Sequence, residues 1–393
     1  MFFIQGAALG IWLVPLTRVL EAHGLGSIRP LAYATSAIAA FVSPLIFAAV
    51  ADRHMAPVRV LRWLGVATAI ALGLATTAIG RGWHPTVVLG FIQLYALCSS
   101  PSWSLASTIV FASIDDAKRQ FGPLRAMATV GWMAGCWSVS ALQADSSTVS
   151  GYTGMVAWLG ISAFTLALPA VDPPAASTRL TLSQRMGWDA LALLRIKDHR
   201  GIFVTAALLN IPLAAFYPFT PPHLRELGFE HTSAWMTLGQ VSEIVAMLSL
   251  AALLRRFRLK WVFAAGLSFG VLRFALCALD GRGWVLAGGC LHGLSYTLVI
   301  ISAQIYLAER IDPEWSARAQ ALLTLMTSGV GNLLGYLGTG QWFAMNSAGG
   351  AGGRVSWSRF WLGLSLTTAG ILIFFLVTYR GRGARPGAVR EGV

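Results

Sequence analysis

The chain has 393 residues, of which 56% are hydrophobic and only 11% are charged, and 29 Lys and Arg against 16 Asp and Glu give a net charge of +13. Soluble domains carry about 25% charged residues, so this composition leaves too little polar surface for a water-soluble particle. It also excludes a disordered chain, a disulfide-rich secreted domain and a basic nucleic-acid-binding protein. We therefore predict an integral membrane protein.

Apolar runs long enough to cross a bilayer recur along the chain. A membrane helix needs about 20 mostly apolar residues. Such runs cover 2–21, 30–51, 61–80, 86–111, 124–143, 152–170, 201–221, 232–254, 261–279, 284–307, 317–343 and 357–379. The first run has no charged leader and no small-residue cleavage site, so we expect it to be kept as a helix. Pro218, Pro221 and Pro222 predict a break at the outer end of the seventh run. We predict an all-α membrane protein with twelve transmembrane helices.

Lys and Arg residues concentrate in the loops on one side of these predicted helices. Short cytoplasmic loops collect basic residues, so this asymmetry predicts that both termini are cytoplasmic. It also explains the positive charge without a nucleic-acid partner. We expect a multi-pass monomer in the lipid bilayer of a bacterial inner membrane.

A polar stretch over 172–199 divides the predicted helices into two groups of six. The remaining predicted parts are an N-terminal bundle, a C-terminal bundle and a cytoplasmic tail, over 1–171, 200–379 and 380–393. The loop after the second helix contains Asp52, Arg53 and Arg59, which resemble the Asp-Arg…Arg loop signature of the major facilitator superfamily. In that fold, two six-helix bundles alternate access to a central site.

Glu243, in the eighth predicted helix, is the acid that lies deepest within an apolar run. An ionisable group in the bilayer core costs about 2.5–3.5 kcal/mol, so it marks a function or has a partner. Gln240 lies three residues earlier on the same helix face. Arg273, in the ninth predicted helix, could pair with Glu243. Such a pair would be either structural or a switch that protonation of Glu243 releases.

Arg125 opens the fifth predicted helix, with Thr129 one turn later and Trp132 beyond it. A guanidinium fork, a hydroxyl and an aromatic surface suit a polyhydroxylated ligand. The alternative is that Arg125 only extends toward the membrane interface. His292, close to Tyr296 in the tenth helix, is either a packing residue or part of a polar site. No cluster of His, Cys, Asp and Glu has metal-ligand spacing, so we expect no metal and no other cofactor.

Five segments of the chain, IQGAALGIW, FGPLRAMATVGW, QVSE, VLRFAL and LHG, match motifs of known transporters. The first four resemble the nucleoside:proton symporter family of the major facilitator superfamily. FGPLRAMATVGW, VLRFAL and LHG also resemble, more distantly, the oligosaccharide:proton symporters that include lactose permease. The resemblance implies substrate contact for Arg125, Thr129 and Gln240, and substrate or proton contact for Glu243. It also implicates three residues in proton coupling or gating: Glu243, Arg273 and His292.

The function implied by this resemblance is symport of protons with a nucleoside or a related sugar-bearing solute by alternating access. Trp132 and Tyr296 complete the expected substrate site. Two alternatives are an oligosaccharide transporter and a transporter-like sensor that binds its ligand without moving it. An enzyme is not expected, because no nucleophile, base and orienting acid converge on neighbouring helices.

The chain departs from the family patterns at positions that matter for coupling. Thr297 stands where the nucleoside family has its tenth-helix acid, and Ser295 lies near the corresponding acid of the sugar family. Ala214 and Tyr217 stand in place of the substrate amides expected on the seventh helix. Glu243 is therefore the one carboxylate left in the expected site to carry a proton.

Overall fold

The structure, a computed structural model, describes residues 1–51, 56–114, 117–169, 188–348 and 355–381. Within these ranges the chain forms helices and no strand. The α-helices in the N-terminal part are α1 Phe2–Leu13, α2 Leu16–Ala22, α3 Arg29–Ala51, α4 Pro57–Gly80, α5 Pro85–Ser99, α6 Ser102–Phe111, α7 Ala117–Ala141 and α8 Val149–Phe164. Those that follow are α9 Lys197–Leu213, α10 Phe216–Glu226, α11 Thr232–Met236, α12 Leu238–Arg256, α13 Leu259–Ala278, α14 Arg282–Tyr296, α15 Ser302–Arg310, α16 Pro313–Thr324, α17 Asn332–Ala348 and α18 Trp357–Thr378.

Nine helical stretches of the described chain are long and apolar enough to cross a membrane. They are Phe2–Ala22, Pro57–Gly80, Val149–Ala167, Lys197–Glu226, Thr232–Arg256, Leu259–Ala278, Arg282–Arg310, Arg318–Ser347 and Trp357–Thr378. The three other predicted runs, 30–51, 86–111 and 124–143, fall on α3, on the α5–α6 pair and on α7. The prediction of an all-α, multi-span protein is confirmed, and the number twelve stays a prediction.

Short interruptions divide several of these stretches. Pro15 lies between α1 and α2, and Pro101 lies between α5 and α6. Proline has no backbone N–H and its ring clashes with the carbonyl of the preceding turn, so a helix is readily interrupted there. Two π-helical segments, Thr297–Ile301 and Leu325–Gly331, interrupt the tenth and eleventh predicted spans. Such wide turns are frequent at functional sites.

The predicted break at the outer end of the seventh span is wrong. The regular α-helix is interrupted by a turn at Ala214 and Ala215, and α10 continues through Pro221 and Pro222. The reason is that a proline clashes with the carbonyl four residues earlier, which for Pro218 is that of Ala214. The interruption therefore lies upstream of the prolines that cause it.

Contacts divide the chain into two compact units. The first unit comprises Met1–Arg179 and Phe216–Thr237, and the second comprises Leu180–Ala215 and Leu238–Val393. In the first unit α1 packs along α7 and α8, and α4 packs on α5 and α8. In the second unit α13 packs on α14 and α18, and α12 packs on α14. The division predicted from the sequence, at the linker 172–199, stays a prediction.

Glycines bring α1 and α7 into backbone contact. A Cβ atom on Gly6 would overlap the carbonyl oxygen of Ala128, and one on Gly131 would overlap that of Phe3. Gly10 and Gly135 lie one helical turn farther along, and a Cβ on either would clash with backbone of the facing helix. Small residues spaced by four let membrane helices approach closely, where dispersion rather than the hydrophobic effect holds them. This contact fixes the face of α7 that carries the predicted ligand residues.

Candidate functional site

Helix α7 places Arg125, Thr129 and Trp132 in the first unit. The Arg125 side chain is exposed, and its guanidinium lies 4.5 Å from the ring centre of Trp103 and 5.7 Å from that of Phe2. Thr129 and Trp132 are half-buried. A guanidinium over aromatic faces is attracted by the ring quadrupoles. Its planar fork of N–H donors also matches pairs of oxygen acceptors. The arrangement suits recognition of an oxygen-rich solute.

Trp132 provides an aromatic surface beside Tyr217 of α10. The two ring centres are 5.6 Å apart with planes tilted by 51°, and Phe216 lies edge-on to Tyr217 at 5.0 Å. The indole Nε1 of Trp132 is buried and has no hydrogen-bond partner among the described residues. Buried indole N–H groups usually find a partner. The indole could therefore donate to a ligand, and Tyr217, which replaces an expected amide, contributes an aromatic face instead.

Helix α12 places Gln240 and Glu243 in the second unit, against α14. A Cβ atom on Gly293 would overlap the backbone nitrogen of Glu243, and the backbone N–H of Gly293 donates to Ser242 Oγ at 3.2 Å. Gln240 is 5% exposed, and its Oε1 is buried without a hydrogen-bond partner in the described chain. Glu243 is half-buried. This close packing holds an amide acceptor and a carboxylate on one face of α12.

Arg273 of α13 donates a hydrogen bond from Nη1 to Nδ1 of His292 on α14. Arginine has only donors, so Nδ1 accepts and the proton of the neutral imidazole is on Nε2. The guanidinium also lies 4.6 Å from the ring centre of Phe274, and Arg273 is 1% exposed. His292 stacks with Tyr296 at 6.5 Å between ring centres. The structure thus joins two of the predicted coupling residues, and the expected pairing of Arg273 with Glu243 stays a prediction.

Hydroxyl groups occupy the positions of the missing tenth-helix acids. Ser295 and Thr297 are fully buried, and neither hydroxyl has a hydrogen-bond partner in the described part of the chain. Thr297 begins the π-helical segment Thr297–Ile301. These groups give a buried polar patch on α14 that has no carboxylate of its own.

Asp145, between α7 and α8, has a role that we did not predict. It is 6% exposed, and its Oδ1 accepts hydrogen bonds from Ser233 N at 2.7 Å and Thr232 Oγ1 at 3.2 Å. Its Oδ2 accepts from Ser140 Oγ at 3.1 Å, and Ser140 Oγ accepts from Ala234 N at 3.0 Å. The carboxylate therefore accepts the backbone N–H of Ser233 near the start of α11 directly, and Ser140 connects it to the N–H of Ala234. The sequence gives no signal for this contact, because Asp145 lies outside every apolar run.

Arg29 contacts the segment Phe216–Thr237, which also contains the residues bound by Asp145. It forms an ion pair with Glu21 at 3.2 Å, donates to the carbonyl oxygen of Pro218 at 3.3 Å and lies 5.1 Å from the ring centre of Phe219. The indole of Trp137 donates to Thr237 Oγ1 at 3.2 Å. We call these contacts, together with those of Asp145, the clasp on Phe216–Thr237.

The predicted loop signature is described only in part. Asp52 and Arg53 lie outside the described residues, whereas Arg59 is exposed near the start of α4. Within the described ranges no group of three His, Cys, Asp or Glu side chains is placed to hold a metal ion. The candidate site therefore consists of amide, hydroxyl, aromatic and charged side chains.

Comparison with known proteins decides the family. The model of the family described as "Nucleoside H+ symporter" matches residues 1–383. The chain belongs to this family. It is 32% identical to YegT of Escherichia coli (strain K12) over 97% of this chain and 92% of that protein. It is also 24% identical to the xanthosine permease of the same strain, over 96% of this chain and 93% of the permease.

A crystal structure of the nucleoside transporter NupG has the same fold as this chain. The two chains are 23% identical, the match covers 96% of this chain and 97% of NupG, and the TM-score is 0.84. The resemblance to the nucleoside:proton symporters is thus confirmed. As a member of a transporter family the chain is a multi-pass membrane protein and not an enzyme.

Proposed function

We propose that this chain is a secondary active transporter that moves a nucleoside together with protons by alternating access. The observation that carries the proposal is the family match over residues 1–383, which includes every residue of the candidate site. The relatives named as permeases come from a bacterium, and the basic loops lie on one side of the spans. We therefore place the protein in a bacterial inner membrane, with twelve spans, both termini cytoplasmic and one chain as the working unit.

The side chains of α7 supply the first set of substrate contacts. The Arg125 guanidinium and the Thr129 hydroxyl suit the ribose hydroxyls. The guanidinium donates to ribose oxygens, and the Thr129 hydroxyl can donate to or accept from a ribose hydroxyl. The Trp132 indole gives a flat surface for the nucleobase, and base–aromatic stacking contributes about 1–3 kcal/mol per base. The contact with the Trp103 ring helps to orient the Arg125 guanidinium.

The second set of substrate contacts comes from α12 and α14. Gln240 Oε1 has no hydrogen-bond partner in the described chain, so it suits an N–H or O–H donor of the substrate. Glu243 carries the proton in this proposal, since Ser295 and Thr297 provide no carboxylate on α14. Tyr296 adds an aromatic face next to His292. Protonation of Glu243 neutralises it, which lowers the cost of closing the site around the substrate.

Uptake into cells tests the proposal. We would express the chain in a bacterium that lacks nucleoside transport and measure accumulation of labelled uridine, adenosine and lactose, with and without an inward proton gradient. Gradient-dependent accumulation of a nucleoside is the expected result. Gradient-dependent accumulation of lactose alone would favour the sugar transporter instead. Binding of uridine to inserted protein without any flux would favour the sensor.

A further inference from the structure

A polar cavity of about 530 Å³ lies in the second unit where four helix ends meet. The ends belong to α12, which stops at Arg256, to α13, which starts at Leu259, to α15, which stops at Arg310, and to α18, which Tyr379 follows. The lining of the cavity includes Arg255, Arg258, Lys260, Tyr306, Glu309, Arg310 and Tyr379. No residue of the candidate site lines the cavity.

The charged lining of this cavity is strongly unbalanced. Arg255, Arg258, Lys260 and Arg310 face one acid, Glu309. None of the four forms an ion pair with a described residue. Like charges this close repel one another, so an anion bound among them would be stabilised by several cations at once.

Buried tyrosines and hydrogen bonds hold part of the cavity lining in place. Tyr306 and Tyr379 are 3% and 4% exposed, and the Tyr306 hydroxyl is hydrogen-bonded to His199 Nδ1 at 2.8 Å. The Arg310 guanidinium lies 5.9 Å from the ring centre of Tyr306, and Lys260 Nζ donates to the carbonyl oxygen of Leu376 at 3.1 Å. These contacts hold two of the cations in place and leave the guanidinium N–H groups of Arg255 and Arg258 for a ligand.

The position of the cavity along the spans identifies the kind of anion. It lies where apolar spans end, on the side whose loops are rich in arginine, and therefore at the predicted cytoplasmic boundary of the bilayer. Phe257 and Trp261 are 48% and 58% exposed there, as expected for aromatic residues at a membrane interface. A phospholipid at this depth would place its charged head group at the cavity and its acyl chains beside the apolar spans.

We propose that this cavity binds the phosphate of an anionic phospholipid from the cytoplasmic leaflet, with Arg255 and Arg258 as its principal donors. Guanidinium groups bind phosphate oxygens in a bidentate way, and basic pockets between membrane helices on the cytoplasmic side suit such head groups. The bound lipid would join the ends of α12, α13, α15 and α18. The proposal does not depend on which solute the protein transports.

Lipid binding to the purified full-length protein tests this proposal. We would measure the affinity for phosphatidylglycerol, for zwitterionic phosphatidylcholine and for inorganic phosphate by native mass spectrometry and by thermal shift in detergent. We expect phosphatidylglycerol to bind at least tenfold more tightly than phosphatidylcholine and to raise the unfolding temperature. The double variant Arg255→Gln/Arg258→Gln should lose about tenfold in affinity for phosphatidylglycerol.

Arg256→Gln is the matched control, because Arg256 adjoins Arg255, is exposed and does not line the cavity. This variant should bind phosphatidylglycerol like the wild type, and the elution profile of each variant shows whether it is folded. An equal loss in Arg256→Gln and in the double variant would overturn the proposal, since it would mean diffuse attraction of lipid to a basic surface. Inorganic phosphate bound as tightly as phosphatidylglycerol would overturn the assignment to lipid.

Discussion

Trp132 is the residue for which the proposed substrate site makes the most direct prediction. Trp132→Ala should weaken nucleoside binding by about 5- to 150-fold, because stacking with a base contributes about 1–3 kcal/mol. Trp132→Phe should weaken binding less, since it keeps an aromatic face but loses the indole N–H. Equilibrium binding of labelled uridine to purified protein measures both. Trp63→Ala, at a 65% exposed position on α4, should leave the affinity unchanged.

Arg273 and His292 make a second prediction at the scale of single residues. His292→Phe keeps an aromatic ring beside Tyr296 but removes the acceptor of the Arg273 hydrogen bond. A buried donor left without its acceptor costs about 1–3 kcal/mol. Thermal unfolding in detergent should therefore show a lower transition temperature for His292→Phe. The control His231→Phe, at an exposed position, should leave the transition temperature unchanged. An unchanged transition for His292→Phe would mean that the bond contributes nothing to stability.

The residue chemistry was only partly predictable from the sequence. Arg273 and His292 were both recognised as charged or polar groups inside apolar runs, because such groups are costly there. Their mutual hydrogen bond was not predicted, since the expected partner of Arg273 was Glu243. Which side chains meet across α13 and α14 depends on helix rotation and packing, and neither can be read from hydropathy.

At the scale of helices, the α1–α7 contact depends on the absence of side chains. Gly131→Ala would place a Cβ atom against the carbonyl oxygen of Phe3, and the backbone has no room to accept it. Overpacking of this kind costs about 1–3 kcal/mol. We expect a lower unfolding temperature and weaker nucleoside binding, because α7 carries Arg125 and Trp132. Gly90→Ala on α5 is the control, since nothing lies within 4 Å of its added Cβ.

The clasp on Phe216–Thr237 gives another prediction for helix ends. Asp145→Ala removes the acceptor of three groups, Ser233 N, Thr232 Oγ1 and Ser140 Oγ, so the unfolding temperature should fall markedly. Asp145→Asn keeps one carbonyl oxygen as an acceptor for Ser233 N, so its unfolding temperature should fall less than that of Asp145→Ala. Glu230→Ala, which removes an exposed ion pair with Arg225, should change stability by less than about 1 kcal/mol. Equal effects at Asp145 and Glu230 would contradict the clasp.

The spans were predictable from the sequence, and their interruptions were less so. Bilayer thickness fixes the length of an apolar helix, so α4, α13 and α18 appear close to the expected positions. The break at Ala214 and Ala215 lies upstream of the prolines that the sequence offers as markers. The π-helical turn after Tyr296 depends on how α14 packs against its neighbours, which a hydropathy pattern does not contain.

For the whole molecule, the path of the chain connects the clasped segment to helices of both units. Phe216–Thr237 packs with the first unit, yet it is joined directly to α9 and α12 of the second. The clasp is therefore linked along the chain to α12, which carries Gln240 and Glu243. We expect that Asp145→Ala, by loosening the clasp, changes the rate of nucleoside exchange as well as stability. Exchange measured at equal nucleoside concentration on both sides tests this expectation.

Coupling of transport to protons through Glu243 is the central claim, and transport by the Glu243→Gln variant tests it. In proteoliposomes with an inward proton gradient, the wild type should accumulate labelled uridine above the external concentration. Glu243→Gln should lose this uphill accumulation and still exchange internal for external uridine, because the amide mimics the protonated carboxyl. Glu230→Gln, at an exposed loop position, should behave like the wild type. Full uphill accumulation by Glu243→Gln would contradict the account and move the proton to another group.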